Sequence, residues 1–264
     1  MAFRFKSVAM LYKDLGRYDA IVEFTEVSIR DFIFQANKHG DFNDYLTIKS
    51  TVHKIFVNSV DRSIFRARIS QGYILSVHQV FELFLRNFKD DYNELYLKSE
   101  NFDYSNDSLL IKLIKIISDR SNGISAVSEF KICIYDYYRK VRNKYSHEIM
   151  SDDKIEKAFD NLKSYDRQIK SEYPLLTAPN PYVNLEFDDF ILFSRGIKDI
   201  VESLNNLAAP TDEQLANFYL NKMLFSELNQ NLARKKNACI GHLRNNFGIE
   251  KERAEQIISL LTSH

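Results

Sequence analysis

Three polar residues with complementary chemistry stand close together in residues 137–148 (YYRKVRNKYSHE). Arg142 is followed directly by Asn143, and four positions separate Arg142 from His147. A histidine side chain has an ordinary pKa of about 6.5, so it takes up or releases a proton near neutral pH. The planar fork of an arginine binds the oxygens of a phosphate or carboxylate in pairs. The segment therefore combines a proton-transfer group with an anion-binding group.

Helical periodicity surrounds this segment and predicts the elements that must position it. Apolar residues recur at steps of three and four in five stretches, which is the pattern of amphipathic helices. The five stretches are residues 74–88, 109–117, 130–145, 155–169 and 190–204. Each buries one side only, so the helices must pack on one another. A short strand stays possible only within the first dozen residues. We predict an all-α fold.

Capping signals predict where some helices begin and how the chain is divided. Ser151, Asp152 and Asp153 place oxygen acceptors before an apolar stretch, as at a helix N-terminus. Thr211 followed by Gln214 has the spacing of a capping box. We predict three parts: an N-terminal helical extension over residues 1–60, a helical bundle over 61–207 and a C-terminal helical segment over 208–264.

Composition excludes several classes of protein. Hydrophobic residues make up 45% of the 264 residues, enough for a sizeable core, and the chain has only 7 glycines and 4 prolines. No apolar run approaches the roughly 20 residues of a membrane span. The N-terminus lacks the features of a signal peptide, and the two cysteines fit neither a disulfide framework nor a zinc site. We therefore expect a cytoplasmic protein with no membrane association, bound metal or cofactor.

Net charge is zero, with 36 basic and 36 acidic residues, so nucleic-acid binding would have to come from local patches. Two basic patches are present. The first consists of Lys131, Arg139, Lys140, Arg142 and Lys144, and the second of Arg234, Lys235, Lys236 and Arg244. Each fits either a solvated helix face or a phosphate-binding surface.

The Arg142, Asn143 and His147 pattern resembles the signature of the HEPN superfamily. That signature is an arginine, usually followed by a polar residue, and then a histidine after four to six intervening positions. HEPN domains are bundles of four or five helices with this motif near the end of a long one. The resemblance covers about residues 65–207, and it implies a HEPN-like bundle with helical extensions at both ends.

The resemblance implies a metal-independent endoribonuclease. Such enzymes cleave RNA by attack of its own 2′-hydroxyl, which leaves 2′,3′-cyclic phosphate and 5′-hydroxyl ends. His147 would be the general base or acid, Arg142 would clamp the charge of the transition state, and Asn143 would orient the phosphate. The substrate-binding residues would be Arg139, Lys140, Lys144 and Tyr138. Toxins and anti-phage or abortive-infection effectors are typical members, and an antitoxin or other regulatory protein is an expected partner.

Helix geometry places a condition on this assignment. Five residues correspond to about 140° around a regular helix, so Arg142 and His147 do not share one face. Either the helix loosens near Ser146, or the arginine bends round it, or two chains share their sites. HEPN ribonucleases commonly dimerise with both motifs facing one cleft, and we expect a homodimer.

Several alternatives stay open at the level of sequence. Glu82 is a candidate to pair with Arg142 and fix its fork. The tyrosines of residues 137–145 fit stacking on bases or packing in the core. Arg234, Lys235, Lys236 and Arg244 fit RNA contact or a protein interface. The alternative function is a catalytically silent HEPN-like module that binds a nucleotidyltransferase, a nucleotide or a protein partner.

Overall fold

A computed structural model describes residues 3–58, 60–96, 107–120, 127–147, 151–222, 224, 226 and 231–260, with the backbone alone at positions 120 and 147. The described residues form eleven α-helices and one short 3-10 helix (Tyr182–Asn184), with no strand among them. The helices are α1 (Lys6–His39), α2 (Phe42–His53), α3 (Arg62–Tyr96), α4 (Leu109–Arg120), α5 (Glu129–His147), α6 (Asp152–Lys163), α7 (Asp166–Glu172), α8 (Phe187–Leu207), α9 (Asp212–Asn221), α10 (Leu232–Phe247) and α11 (Lys251–Leu260).

The all-α prediction is confirmed, and four of the five amphipathic stretches each lie on one helix, α3, α4, α5 and α8. The stretch over residues 155–169 is divided between α6 and α7, because α6 ends at Lys163 and α7 begins at Asp166. Ile155 and Ile169 are nevertheless both buried. None of the described helices is long and apolar enough to cross a membrane.

The short strand that the sequence allows near the N-terminus is not formed. Phe3 and Phe5 are buried just before α1, and the side-chain amide of Asn205 takes the place of a strand partner. Its Nδ2 donates to the carbonyl of Phe3 and its Oδ1 accepts from the amide of Phe5. These two backbone groups are therefore satisfied without a ladder of hydrogen bonds.

The predicted helix starts are found where the capping signals lie. Thr211 and Gln214 form both bonds of the capping box at the start of α9. Ser151 is the N-cap residue of α6, although its side chain makes no capping hydrogen bond; Asp152 and Asp153 lie in the first turn, where they suit the helix dipole.

The chain divides into two compact units that combine segments remote in sequence. The motif unit contains residues 14–79 and 129–197, and the second unit contains residues 1–13, 80–128 and 198–264, as far as they are described. Helices α1, α3 and α8 contribute residues to both. The division into residues 1–60, 61–207 and 208–264 follows the chain and stays a prediction.

Within the motif unit, the buried carboxylate of Asp189 connects α5 to α8 and to the loop between α7 and α8. Asp189 lies in the first turn of α8 and has no exposed surface. Its Oδ1 accepts from the Tyr138 hydroxyl at 2.8 Å and the Asn180 amide at 2.9 Å. Its Oδ2 accepts from Asn180 Nδ2 and from the Glu186 amide, both at 2.9 Å. Four donors thus compensate the burial of one charge.

Apolar packing holds the same face of α5. The Tyr138 ring lies 5.0 Å from that of Phe193 on α8, and the neighbouring Tyr137 hydroxyl donates to the Asn180 carbonyl at 2.5 Å. Helix α8 approaches α5 closely because Gly196 has no side chain: a Cβ there would stand 2.9 Å from Cγ2 of Ile134. The position of α5, and so of Arg142, depends on these contacts.

Loss of the Tyr138 hydroxyl tests the importance of the Asp189 cluster. We expect Tyr138→Phe to lower the free energy of unfolding by about 1.5–3 kcal/mol, because a hydrogen bond to a buried charge is lost. Tyr145→Phe makes the same chemical change on the exposed part of α5, so it should shift stability by no more than about 0.5 kcal/mol. Urea denaturation of both variants measures the difference, and equal effects would contradict the role of Asp189.

The close approach of α8 to α5 is tested by adding one methyl group. Gly196→Ala should destabilise the protein despite the better helix propensity of alanine, because the new Cβ meets Ile134 at 2.9 Å. Gly16→Ala, in the interior of α1, meets nothing within 4 Å and should stabilise by about 0.5–1 kcal/mol. Thermal melting of the two variants checks the opposite signs. A stabilised Gly196→Ala variant would show that the two helices can separate without cost.

Candidate functional site

Helix α5 carries the motif as one continuous element. The helix runs through His147, so the backbone does not leave the helix near Ser146. Arg142 and His147 are consequently about 140° apart around the axis. The first of the three geometric alternatives is therefore not what the structure shows. The side chain of His147 lies outside the described part, and its catalytic role stays a prediction.

Arg142 is half-buried and makes its side-chain hydrogen bond within the motif itself. Its Nη1 donates to Oδ1 of Asn143 at 2.9 Å. Its Nε is buried and has no hydrogen-bond partner among the residues that the structure describes. Arg142 also has no ion pair with an acidic side chain among these described residues. Asn143 thus holds one arm of the fork, and the guanidinium keeps unused donor capacity.

The other cations of the first patch differ from Arg142, because each has an acidic partner. Asp136 pairs with Arg139 at 3.0 Å and with Lys140 at 2.6 Å. Lys144 pairs with Asp152 at 3.1 Å. These acids offset part of the positive charge of the first basic patch. Lys131, farther from the motif, lies 4.0 Å from Glu172.

A buried histidine on α3 lies close to the two arginines of α5. His78 is only 2% exposed, and its ring stacks on Tyr135 with the centroids 6.3 Å apart. Burial, then the charges of Arg142 and Arg139, lower the His78 pKa to about 3. The imidazole is therefore neutral at physiological pH and adds no positive charge beside the two arginines.

Sequence reasoning missed this neighbour of the motif. His78 lies within the apolar stretch of α3, between the buried residues Val77 and Phe81, and that position signals burial but not a partner. Glu82 is half-buried one turn later on α3. Its predicted pairing with Arg142 stays a prediction.

Tyr138 does not have the exposure that substrate binding requires. Its ring is fully buried and its hydroxyl donates to Asp189, so in this structure no base can stack on it. Tyr137 is buried in the same way, whereas Tyr145 is 36% exposed. Among the tyrosines considered for stacking, Tyr145 is therefore the one that a ligand can reach.

The second basic patch lies on α10, in the second unit. The side chains of Arg234, Lys236 and Arg244 are exposed, and that of Lys235 is half-buried. Asn231 caps the start of this helix by accepting from the Arg234 amide, which fixes where the patch begins. The patch is thus presented to solvent on a regular helix, as phosphate or protein contact would require.

Neither metal ligands nor known relatives point to another site. No cluster of three or more histidine, cysteine or acidic side chains suitable for a metal occurs in the described ranges. No family model, curated protein or solved structure matches the chain. The candidate site is thus assigned from Arg142, Asn143 and His147 and from their surroundings on α5.

The neutral state of His78 predicts how stability depends on pH. In the unfolded chain this imidazole has its ordinary pKa of 6.5, against about 3 when folded. Between these values the unfolded state binds a proton that the folded state does not, so the free energy of unfolding falls as pH falls. In His78→Gln this contribution is absent, and the stability difference between about pH 7.5 and about pH 5 should shrink.

Urea denaturation at the two pH values measures this difference. His53→Gln, at an exposed position on α2, is the matched control and should keep the wild-type pH dependence. An unchanged pH dependence in His78→Gln would show that His78 titrates normally in the folded protein.

Proposed function

We propose that this protein is a metal-independent endoribonuclease of the HEPN type. The observation that carries the proposal is the state of Arg142: among the cations on the motif half of α5, it is the one without an acidic partner in the described residues. A half-buried guanidinium without an acidic partner is suited to a phosphate, since its planar fork binds two oxygens at once and it is only weakly hydrated.

The proposed reaction uses the RNA's own nucleophile. The 2′-hydroxyl gives up its proton and its oxygen bonds to the adjacent phosphorus, while the bond from phosphorus to the 5′-oxygen breaks. One group accepts the first proton and another donates a proton to the 5′-oxygen. His147 serves as general base or acid, and Arg142 binds the phosphoryl oxygens as their negative charge increases. Asn143 orients the arginine fork through the 2.9 Å hydrogen bond between them.

Substrate binding is assigned to cations whose present partners are easily exchanged. Lys144 pairs with Asp152, whose side chain is 75% exposed, and such a surface pair contributes little. Arg139 and Lys140 share the single carboxylate of Asp136, so they keep net positive charge for the RNA backbone. Arg234, Lys235, Lys236 and Arg244 are proposed to contact RNA phosphates, a sequence-independent contribution. Single-stranded or loop RNA is the proposed substrate.

A homodimer is part of the proposal. Because α5 is regular as far as His147, one chain does not place Arg142 and His147 on the same face. Two motifs that face one cleft would supply the arginine and the histidine from different subunits. The proposed role is that of a cytoplasmic toxin or anti-phage effector under the control of an antitoxin or similar regulatory protein.

A second candidate is a catalytically silent HEPN-like module that binds a nucleotidyltransferase, a nucleotide or a protein partner. The ion pairs of Arg139, Lys140 and Lys144 favour it, because they satisfy these cations within the protein. Purified protein that binds RNA or a partner but never cleaves RNA would support this candidate.

Cleavage of RNA by the purified protein tests the proposal. We expect cleavage in excess EDTA, with 2′,3′-cyclic phosphate and 5′-hydroxyl ends. Arg142→Ala and His147→Ala should each lose at least about a hundredfold in rate, the scale expected for losing a general acid or base. Arg142→Lys should recover only part of the loss, because a lysine lacks the planar fork.

Matched controls keep the result specific. Arg167→Ala on α7 and His53→Ala on α2 remove the same side-chain types at exposed positions and should keep wild-type rates. Cleavage that stops with EDTA and returns with magnesium would overturn the mechanism. Cleavage at wild-type rates in both motif variants would overturn the site.

A further inference from the structure

One face of α1, in the motif unit, is apolar and uncovered. Ile21, Phe24 and Val27 are 62%, 73% and 67% exposed, although large apolar side chains usually lie inside a protein. The opposite side of the same helix is buried through Leu15, Val22 and Ala36, so α1 already has its place in the core. The exposed face is therefore additional to the apolar surface that the fold itself needs. Exposed apolar surfaces of this kind mark interaction sites.

Seven exposed residues make up this face, which we call the α1 face. They are Arg17, Ala20, Ile21, Phe24, Val27, Ser28 and Asp31. At 100° per residue they fall within about 120° of the helix circumference and extend over about 21 Å. The face is thus a continuous stripe with one cation at its N-terminal end and one anion at its C-terminal end.

The spacing of the α1 face is symmetric about Phe24. In an antiparallel pair of α1 helices centred on this residue, Phe24 meets its own copy and Ile21 meets Val27 of the other chain. Ala20 meets Ser28, and these small side chains allow the two backbones to approach. Arg17 meets Asp31 at both ends, so opposite charges flank the apolar centre twice. This self-complementarity is what a twofold interface requires.

Both charges are available for such a pairing. Arg17 has a side chain that is 67% exposed, and its ion pair within the chain is a loose one of 3.7 Å to Asp14. Asp31 is exposed and accepts a hydrogen bond of 3.4 Å from Gln35 one turn later. Exposed contacts of this length contribute little, so they do not compete strongly with a new partner.

Helix α2, which packs on α1, also exposes apolar side chains. It follows α1 after Gly40 and Asp41, and it packs on α1 through Phe42 and Tyr45, whose rings lie 5.9 and 5.2 Å from that of Phe32. No residue of α2 is buried, and a helix of 12 residues is marginal without tertiary packing. Its Ile48 and Val52 are 48% and 65% exposed, so α2 also carries uncovered apolar side chains.

We propose that the α1 face binds a second copy of this chain in an antiparallel, twofold arrangement centred on Phe24. The occupant is a second copy because the apolar spacing and the positions of the two charges are complementary to themselves. The proposal concerns association alone and stands whether or not the protein cleaves RNA.

Charge exchange across the proposed interface tests it. Arg17→Asp and Asp31→Arg should each weaken dimerisation at least about tenfold, because each change places like charges opposite each other twice. The double variant R17D/D31R restores opposite charges and should recover dimerisation. Phe24→Glu places two carboxylates at the centre and should yield monomers. Sedimentation equilibrium measures each constant, with thermal melting to confirm that every variant is folded.

Cross-linking checks the register. Phe24→Cys should form an intermolecular disulfide on mild oxidation, because the twofold axis brings this position next to its own copy. Glu23→Cys, also exposed but beside the face, should not. The two native cysteines, Cys133 and Cys239, are buried and leave the background low.

The outcomes are distinct from those of the cleavage assay. Restoration in the double variant together with cross-linking at position 24 would support the proposal. A wild-type protein that stays monomeric at high concentration, or a dimer that all four variants leave intact, would overturn it. The proposal would also be overturned if the wild-type protein is a monomer and binds a different protein through Phe24. The α1 face would then be the binding site of that other protein. RNA cleavage by any of these variants is a separate measurement.

Discussion

The motif unit depends on one buried negative charge. Asp189 lies without exposed surface at the start of α8, and four donors from α5, the preceding loop and the helix N-terminus surround its carboxylate. Burial raises the pKa of Asp189 above its ordinary value, and the four hydrogen bonds oppose that rise. An ionised carboxylate accepts all four bonds at once, whereas any missing donor would leave part of the charge uncompensated. The surrounding segments are therefore constrained to this one arrangement.

That constraint determines what α5 can present to solvent. Tyr137 and Tyr138 face the Asp189 cluster and are buried by it, so the side of α5 that carries them is structural. Arg139 and Arg142 lie near the neutral imidazole of His78, where burial and their own charges lower its pKa. The two arginines thus lie near an imidazole that does not readily take up a proton. Arg142 itself has no acidic partner among the described residues, so none of them compensates its charge.

Helix α1 differs from α5, because it carries apolar residues on its exposed side as well as on its buried side. Its buried side carries Glu26, which is 7% exposed and pairs with Arg30 at 2.7 Å, so even this charge is accommodated inside the motif unit. Its outward side carries Phe24 and its neighbours, which no described residue buries. A helix with apolar residues on two sides can serve its own core and a partner at the same time.

Local patterns in the sequence determined the elements of this protein. Periodicity of three and four residues predicts the helices, and the Thr211 and Gln214 pair predicts the start of α9, because both signals depend on residues close in sequence. The sequence leaves open whether the helix continues past Ser146, and the structure shows that it does. Only the tertiary structure decided the environment of each side chain. Tyr138 meets Asp189 across 51 positions, and His78 and Arg142 come from different helices. Such partners are brought together by packing between helices, and the spacing within a single helix carries no information about them.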